Sequence, residues 1–294
     1  MSLRLLILLG FAAFGVSCGG GTDESIDGSG AEQFLEDTAA AHQDDTPEPS
    51  PAAVVPPGRA VLGTELAYGE STERNLVGYV AMPEDAAEPL PGIIVIHEWW
   101  GLNDNIRAMT ERLAGEGYIA LAVDLYGGQV AEDPGRAQEL MQEMYAAPEA
   151  IEANLRQAHD YLTQYAFSPR VGALGWCLGG GVSLSAGLWM PADLDAVVMY
   201  YGRVSDDETE LGGLAMPLLG LFGADDTAIK VADVQRFRNT LSRLGKDATV
   251  QIFPNVGHAF ANPTGVNFNA PAAEEAWAKT LEFLSRTLKD PPAE

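Results

Sequence analysis

The chain has 294 residues, 47% of them hydrophobic and 20% charged, a composition able to bury a core. Its 17 Lys and Arg stand against 42 Asp and Glu, and the net charge of −25 repels phosphate backbones and excludes a basic nucleic-acid footprint. Two cysteines, Cys18 and Cys177, cannot build a disulfide framework and lack zinc-site spacing, while histidine chemistry is confined to His42, His97, His159 and His258.

The N-terminus opens with Arg4 and an apolar run from Leu5 to Val16, followed by Ser17-Cys18-Gly19. The run is too short to cross a bilayer core of about 30 Å as a helix rising about 1.5 Å per residue. It reads instead as an export signal over residues 1–18. Small residues before Cys18 resemble a bacterial lipoprotein signal, although Gly15 stands where leucine is usual. That resemblance implies acylation of Cys18 and a cell-envelope location on the periplasmic or outer-surface side. The alternative is an ordinary secretory signal with an incidental cysteine.

Residues 19–58 carry nine acids from Asp23 to Glu48, several prolines and no Lys or Arg. Such a stretch is expected to stay solvated as a tether, with at most a helical turn or two over Gln33–Ala41. His42, inside it, is expected to be a bystander.

Residues 59–294 then suit one α/β domain. Strands are predicted at Glu65–Tyr68, Leu76–Met82, Ile93–Ile96, Tyr118–Val123, Val171–Gly175, Ala196–Tyr201, Pro217–Phe222 and Ala248–Phe253. Helices are predicted at Asn103–Gly115, Pro134–Tyr145, Pro148–Tyr165, Gly179–Leu188, Val231–Leu244 and Ala272–Leu288. The alternation implies a mostly parallel sheet with helices on both faces, and ligands at the carboxyl ends of the strands.

Four such ends carry chemistry, one of them with Glu98, a carboxylate directly after the Ile93–Ile96 run that needs a partner or a proton there. Gly175-Trp176-Cys177-Leu178-Gly179 is a G-x-S-x-G nucleophile turn with cysteine in place of serine. A thiolate there gains from the dipole of the following helix. The next strand ends at Asp225-Asp226, of which Asp226 is the preferred orienting acid and Asp225 the alternative. His258 follows in the loop after the last strand, completing the nucleophile–acid–histidine order of α/β-hydrolases. His159 lies in a helix, away from these turns, and His97 reads as a strand-end packing residue.

Four segments carry a resemblance to the dienelactone hydrolase family: Ile93–Asn103 with His97-Glu98-Trp99-Trp100, Val123-Asp124-Leu125-Tyr126, Gly175–Gly180 and Gly257-His258-Ala259-Phe260. The likeness spans about Leu62 to Leu288. It implies an α/β-hydrolase fold with Cys177, Asp226 and His258 as a triad. Glu98 matches the glutamate that holds the thiol proton, and the Leu178 and Trp99 amides match the oxyanion hole. Trp100, Tyr126, Trp176 and Phe260 are expected around the substrate. The family grips a substrate carboxylate with two arginines; the aligned positions here are Gly128 and Asn262, so an uncharged ester or lactone is expected, or another grip such as Arg203.

The reaction expected is hydrolysis of a small-molecule ester or lactone through an acyl-thioester, by a monomer needing no metal or organic cofactor and held at a membrane by its anchor. A thioesterase or acyltransferase would share that chemistry. The rival from another class is a tethered binding protein without turnover.

Overall fold

The computed structural model describes residues 28–45, 47, 55–71 and 75–290. The export signal and Cys18 lie outside the described residues. Among the described residues, eight strands form one sheet: β1 (Val61–Glu70), β2 (Asn75–Pro83), β3 (Gly92–Ile96), β4 (Ile119–Val123), β5 (Val171–Trp176), β6 (Ala196–Tyr200), β7 (Leu218–Gly223) and β8 (Ala248–Phe253). Their spatial order is β1-β2-β4-β3-β5-β6-β7-β8. The β1–β2 and β2–β4 pairs are antiparallel, and from β4 to β8 every pair is parallel. This is the mostly parallel sheet expected from the alternating pattern, and it fits the α/β-hydrolase fold that the resemblance implies.

The physical reason for the parallel block is in the residues. Every position of β3, β4, β5, β6 and β7 is buried, as needed where helices cover both faces. Burying each large aliphatic side chain contributes about 1.5–3 kcal/mol before chain entropy is charged against it.

The helices are α1 (Gly28–Ala41), α2 (Asp104–Gly115), α3 (Pro134–Tyr145), α4 (Pro148–Asp160), α5 (Leu178–Trp189), α6 (Glu208–Gly212), α7 (Val231–Arg243) and α8 (Ala270–Leu284). Side-chain caps start several of them: Asn103 accepts from the Ile106 amide, Asp133 from Arg136 and Asn269 from Ala272. Two predicted helices end differently from their sequence reading, since Tyr161–Tyr165 and Ser285–Lys289 continue α4 and α8 as single π turns.

Over its described residues 28–45, the N-terminal segment departs from the expectation of a solvated tether. Residues 28–41 form α1, and Thr38, His42 and Asp45 are buried against the domain. Phe34 meets Tyr145 edge-on at 6.3 Å, the Arg203 guanidinium lies 5.6 Å over the Phe34 ring, and Lys230 pairs with Asp37 at 3.4 Å. The acids of this segment kept it polar on average, but a few apolar and aromatic side chains suffice to dock it.

Candidate active site

Five neighbouring strand ends supply the site. Glu98 and Trp99 follow β3, Cys177 follows β5, Tyr201 follows β6, Asp226 lies just beyond β7, and His258 lies in the loop after β8. The Cys177 backbone has φ 54° and ψ −116°, a strained conformation held because the strand must turn at once into α5. The turn tolerates no larger neighbours: a Cβ on Gly175 would lie 2.3 Å from the Gly179 carbonyl oxygen, and one on Gly179 would lie 2.3 Å from that of Ile96. The motif's glycines are therefore steric requirements. Leu178 opens α5, so the sulfur sits at that helix's N-terminus, where the dipole favours negative charge.

Cys177, His258 and Asp226 form one hydrogen-bonded chain. His258 Nδ1 donates to Asp226 Oδ2 at 2.8 Å, and His258 Nε2 lies 3.4 Å from Cys177 Sγ. Asp226 is itself fixed by the amides of Ala228 (2.9 Å) and Ile229 (2.7 Å), which both bond to its Oδ1. Asp225, the alternative at this turn, is exposed and points to no such partner role.

A second imidazole reaches the same sulfur. His42 Nε2 is 3.4 Å from Cys177 Sγ, and His42 Nδ1 donates to Asp45 Oδ2 at 2.7 Å. The His42 ring stacks on Trp99 at 4.6 Å and meets the His258 ring edge-on at 5.0 Å. The expectation that His42 is a bystander is thus wrong. Its flanks, Ala39-Ala40-Ala41 before it and Gln43-Asp44-Asp45 after it, carry none of the signals that mark a turn after a strand. A His-x-x-Asp spacing, His42 to Asp45, was the one hint available.

Burial opposes charge on the Cys177 thiol, but the two imidazoles outweigh it and bring it down to about 6. Burial likewise opposes protonation of His258 and His42; Asp226 and the sulfur raise His258 well above its ordinary value, and the sulfur and Asp45 raise His42 to about 9. A thiolate between imidazolium rings is the arrangement these groups favour near neutral pH. Thiolate and imidazole donors also suit a soft metal ion, and the ligand atoms of His42, Cys177 and His258 all lie within 4.8 Å of one another.

Glu98 is buried and turned elsewhere. Its Oε2 accepts from Asn262 Nδ2 at 2.8 Å and its Oε1 from the Tyr201 hydroxyl at 3.5 Å. Burial, then the nearby sulfur, raises this carboxyl to about 8. Asn262, noted in the sequence only for lacking an arginine's charge, is therefore a partner of Glu98. At the other arginine position the Gly128 amide bonds to Asp124. His97 donates from Nδ1 to the Glu98 carbonyl at 2.6 Å and accepts from the Leu125 amide at 3.1 Å, which fits a neutral packing residue. His159 lies apart, bonded to the Asp193 carbonyl.

The aromatic residues expected around a substrate are core residues here. Trp100, Tyr126, Trp176 and Phe260 are all buried. Trp100 packs on Trp99, Phe260 on Tyr201 and Phe253, and Trp176 on Tyr200. Tyr126 borders a cavity of about 530 Å³ and Trp176 one of about 450 Å³, and Cys177 lines neither. Large rings beside a strand end are as readily core as mouth, which is why their sequence did not separate the two.

The family model for the dienelactone hydrolase family matches residues 76–288. The chain belongs to the dienelactone hydrolase family. It is 31% identical over 218 residues to Protein usf of Aquifex pyrophilus, covering 72% of this chain and 93% of that one. It is 28% identical over 262 residues to a protein of Saccharolobus solfataricus provisionally named carboxymethylenebutenolidase, covering 76% and 99%. Among solved structures, a provisionally named dienelactone hydrolase from Klebsiella pneumoniae aligns with a TM-score of 0.70 at 27% identity, over 78% of this chain and 100% of that one. The chain is accordingly a hydrolase with the α/β-hydrolase fold.

Proposed function

We propose that this hydrolase cleaves uncharged esters or lactones through an acyl-thioester on Cys177. The observation that carries the reading is the continuous chain from Asp226 through His258 to the sulfur, at 2.8 and 3.4 Å. In this mechanism the Cys177 thiolate attacks the carbonyl carbon, and the resulting oxyanion is held by the Leu178 and Trp99 amides. Collapse breaks the carbon–oxygen bond, and His258 protonates the leaving oxygen. Neutral His258 then takes a proton from water, which attacks the thioester and expels the thiolate.

Selectivity for uncharged substrates rests on Gly128 and Asn262. Neither offers a guanidinium fork, and the Asn262 amide is engaged by Glu98. The proposal extends to the N-terminus, where acylation of Cys18 would place the hydrolase on a membrane of the cell envelope. The test is a panel of neutral esters and lactones beside the anionic dienelactone, run on the wild type and Cys177→Ala. The reading expects turnover of the neutral substrates, lost in the variant. A preference for the anionic lactone contradicts the selectivity, and full activity without the sulfur contradicts the mechanism.

A further inference from the structure

We propose that His42 is a further catalytic residue of this site: the N-terminal segment delivers a second imidazole, oriented by Asp45, that donates to the Cys177 sulfur and holds it as a thiolate. This inference rests on the cysteine mechanism above but assigns a task that mechanism leaves open. The family resemblance gives the thiol proton to Glu98, yet Glu98 is bonded to Asn262 and Tyr201, and the polar side chains bonded to the sulfur are the two histidines.

The geometry at His42 repeats that at His258. Each ring gives Nδ1 to a buried carboxylate, at 2.7 and 2.8 Å, and each places Nε2 3.4 Å from Sγ. A carboxylate on Nδ1 fixes the tautomer and favours the protonated ring. Asp45 is also pinned, its Oδ1 accepting from the Val266 amide at 2.9 Å. The ring has no freedom to turn away, being fully buried and stacked on Trp99. The other titratable groups facing this cluster are Glu98, whose carboxyl burial keeps protonated to about 8, and the hydroxyls of Tyr126, Tyr145 and Tyr201, all raised by burial. Among the described residues, the cations bonded to the sulfur are therefore the two rings, while Arg203 lies over the Phe34 ring of α1.

The division of labour balances. In the resting site both Nε2 atoms carry protons aimed at Sγ, which holds the electron pair left by the thiol proton. On acylation the carbon–sulfur bond forms, the carbon–oxygen bond breaks, and the leaving oxygen takes its proton from His258. Water then gives a proton back to His258, and its oxygen bonds to the acyl carbon as the thiolate departs. His42 keeps its proton throughout, so the leaving thiolate returns to a waiting donor.

The test uses the full chain. The ultraviolet absorbance of the thiolate, taken as a difference from Cys177→Ala to remove Cys18, is titrated for the wild type, His42→Gln and His42→Phe. The phenylalanine variant keeps the stack on Trp99 and loses the donor, so it separates packing from charge. Both variants are expected to move the midpoint up by about one pH unit or more, which leaves about tenfold less thiolate at low pH. Turnover of p-nitrophenyl acetate should fall about tenfold near pH 6 and largely recover near pH 9. Asp45→Asn, which retains the ring, should shift both in the same direction by less, and it decides the matter if the His42 variants do not fold. Unchanged midpoints and pH profiles overturn the proposal. So does faster turnover in the variants, which would make the segment an obstruction. Activity surviving in Cys177→Ala would instead sink the cysteine mechanism itself, a separate result.

Discussion

Two imidazole–carboxylate pairs converge on one sulfur, and they are built in opposite ways. Asp226 and His258 stand 32 residues apart and meet only because β7 and β8 are neighbours in the sheet. His42 and Asp45 are three residues apart and form a local turn, closed by the Asp45 amide on the His42 carbonyl at 3.0 Å. The first pair is placed by the fold. The second is made locally and brought to the site by docking of α1 and by the hydrogen bond that the Val266 amide donates to Asp45. A pair anchored at two strand ends should be the less replaceable of the two.

Removing the charge of each carboxylate in turn separates the two pairs. Asp226→Asn is expected to lower kcat by about 10³–10⁴, because the ring that exchanges protons with substrate loses its tautomer and its countercharge. Asp225→Asn, one residue away and exposed, should leave kcat within about twofold. Asp45→Asn should fall between them, with a loss smaller than the about tenfold expected of the His42 variants and confined to low pH. Equal losses from Asp45→Asn and Asp226→Asn, measured by steady-state kinetics across pH, would erase the distinction.

A smaller effect concerns Glu98. Burial holds its proton in the folded chain up to about 8, whereas the unfolded chain releases it near 4.5. The folded state therefore binds more protons between those values, and this residue lowers stability as pH rises through that window. Thermal unfolding of Glu98→Gln should consequently show a smaller loss of Tm than the wild type between about pH 5 and pH 8, by several degrees. An identical pH dependence would mean that Glu98 is ionised in the folded chain.

The same contrast explains what could be read from the residues. The parallel block was legible because buried strands such as Ile93-Ile94-Val95-Ile96 are continuous apolar runs. The turn at Cys177 was legible because its strained backbone admits only glycine at Gly175 and Gly179. The order Cys177, Asp226, His258 followed from both. His42 was illegible for a physical reason: an acidic, proline-rich composition is an average over a segment, and docking is decided by a few side chains such as Phe34 and His42. The aromatics were ambiguous for another reason, since Trp100, Tyr126, Trp176 and Phe260 are buried beside the site, where a large ring packs in a core as readily as around a substrate.

The most direct test is intact-protein mass spectrometry of the enzyme quenched during turnover of a slow neutral ester. The account predicts a mass increase equal to the acyl group, mapped by peptide analysis to Cys177, absent in Cys177→Ala and accumulating in Asp226→Asn. Steady turnover with no adduct on that sulfur, or an adduct carried by another side chain, would contradict it.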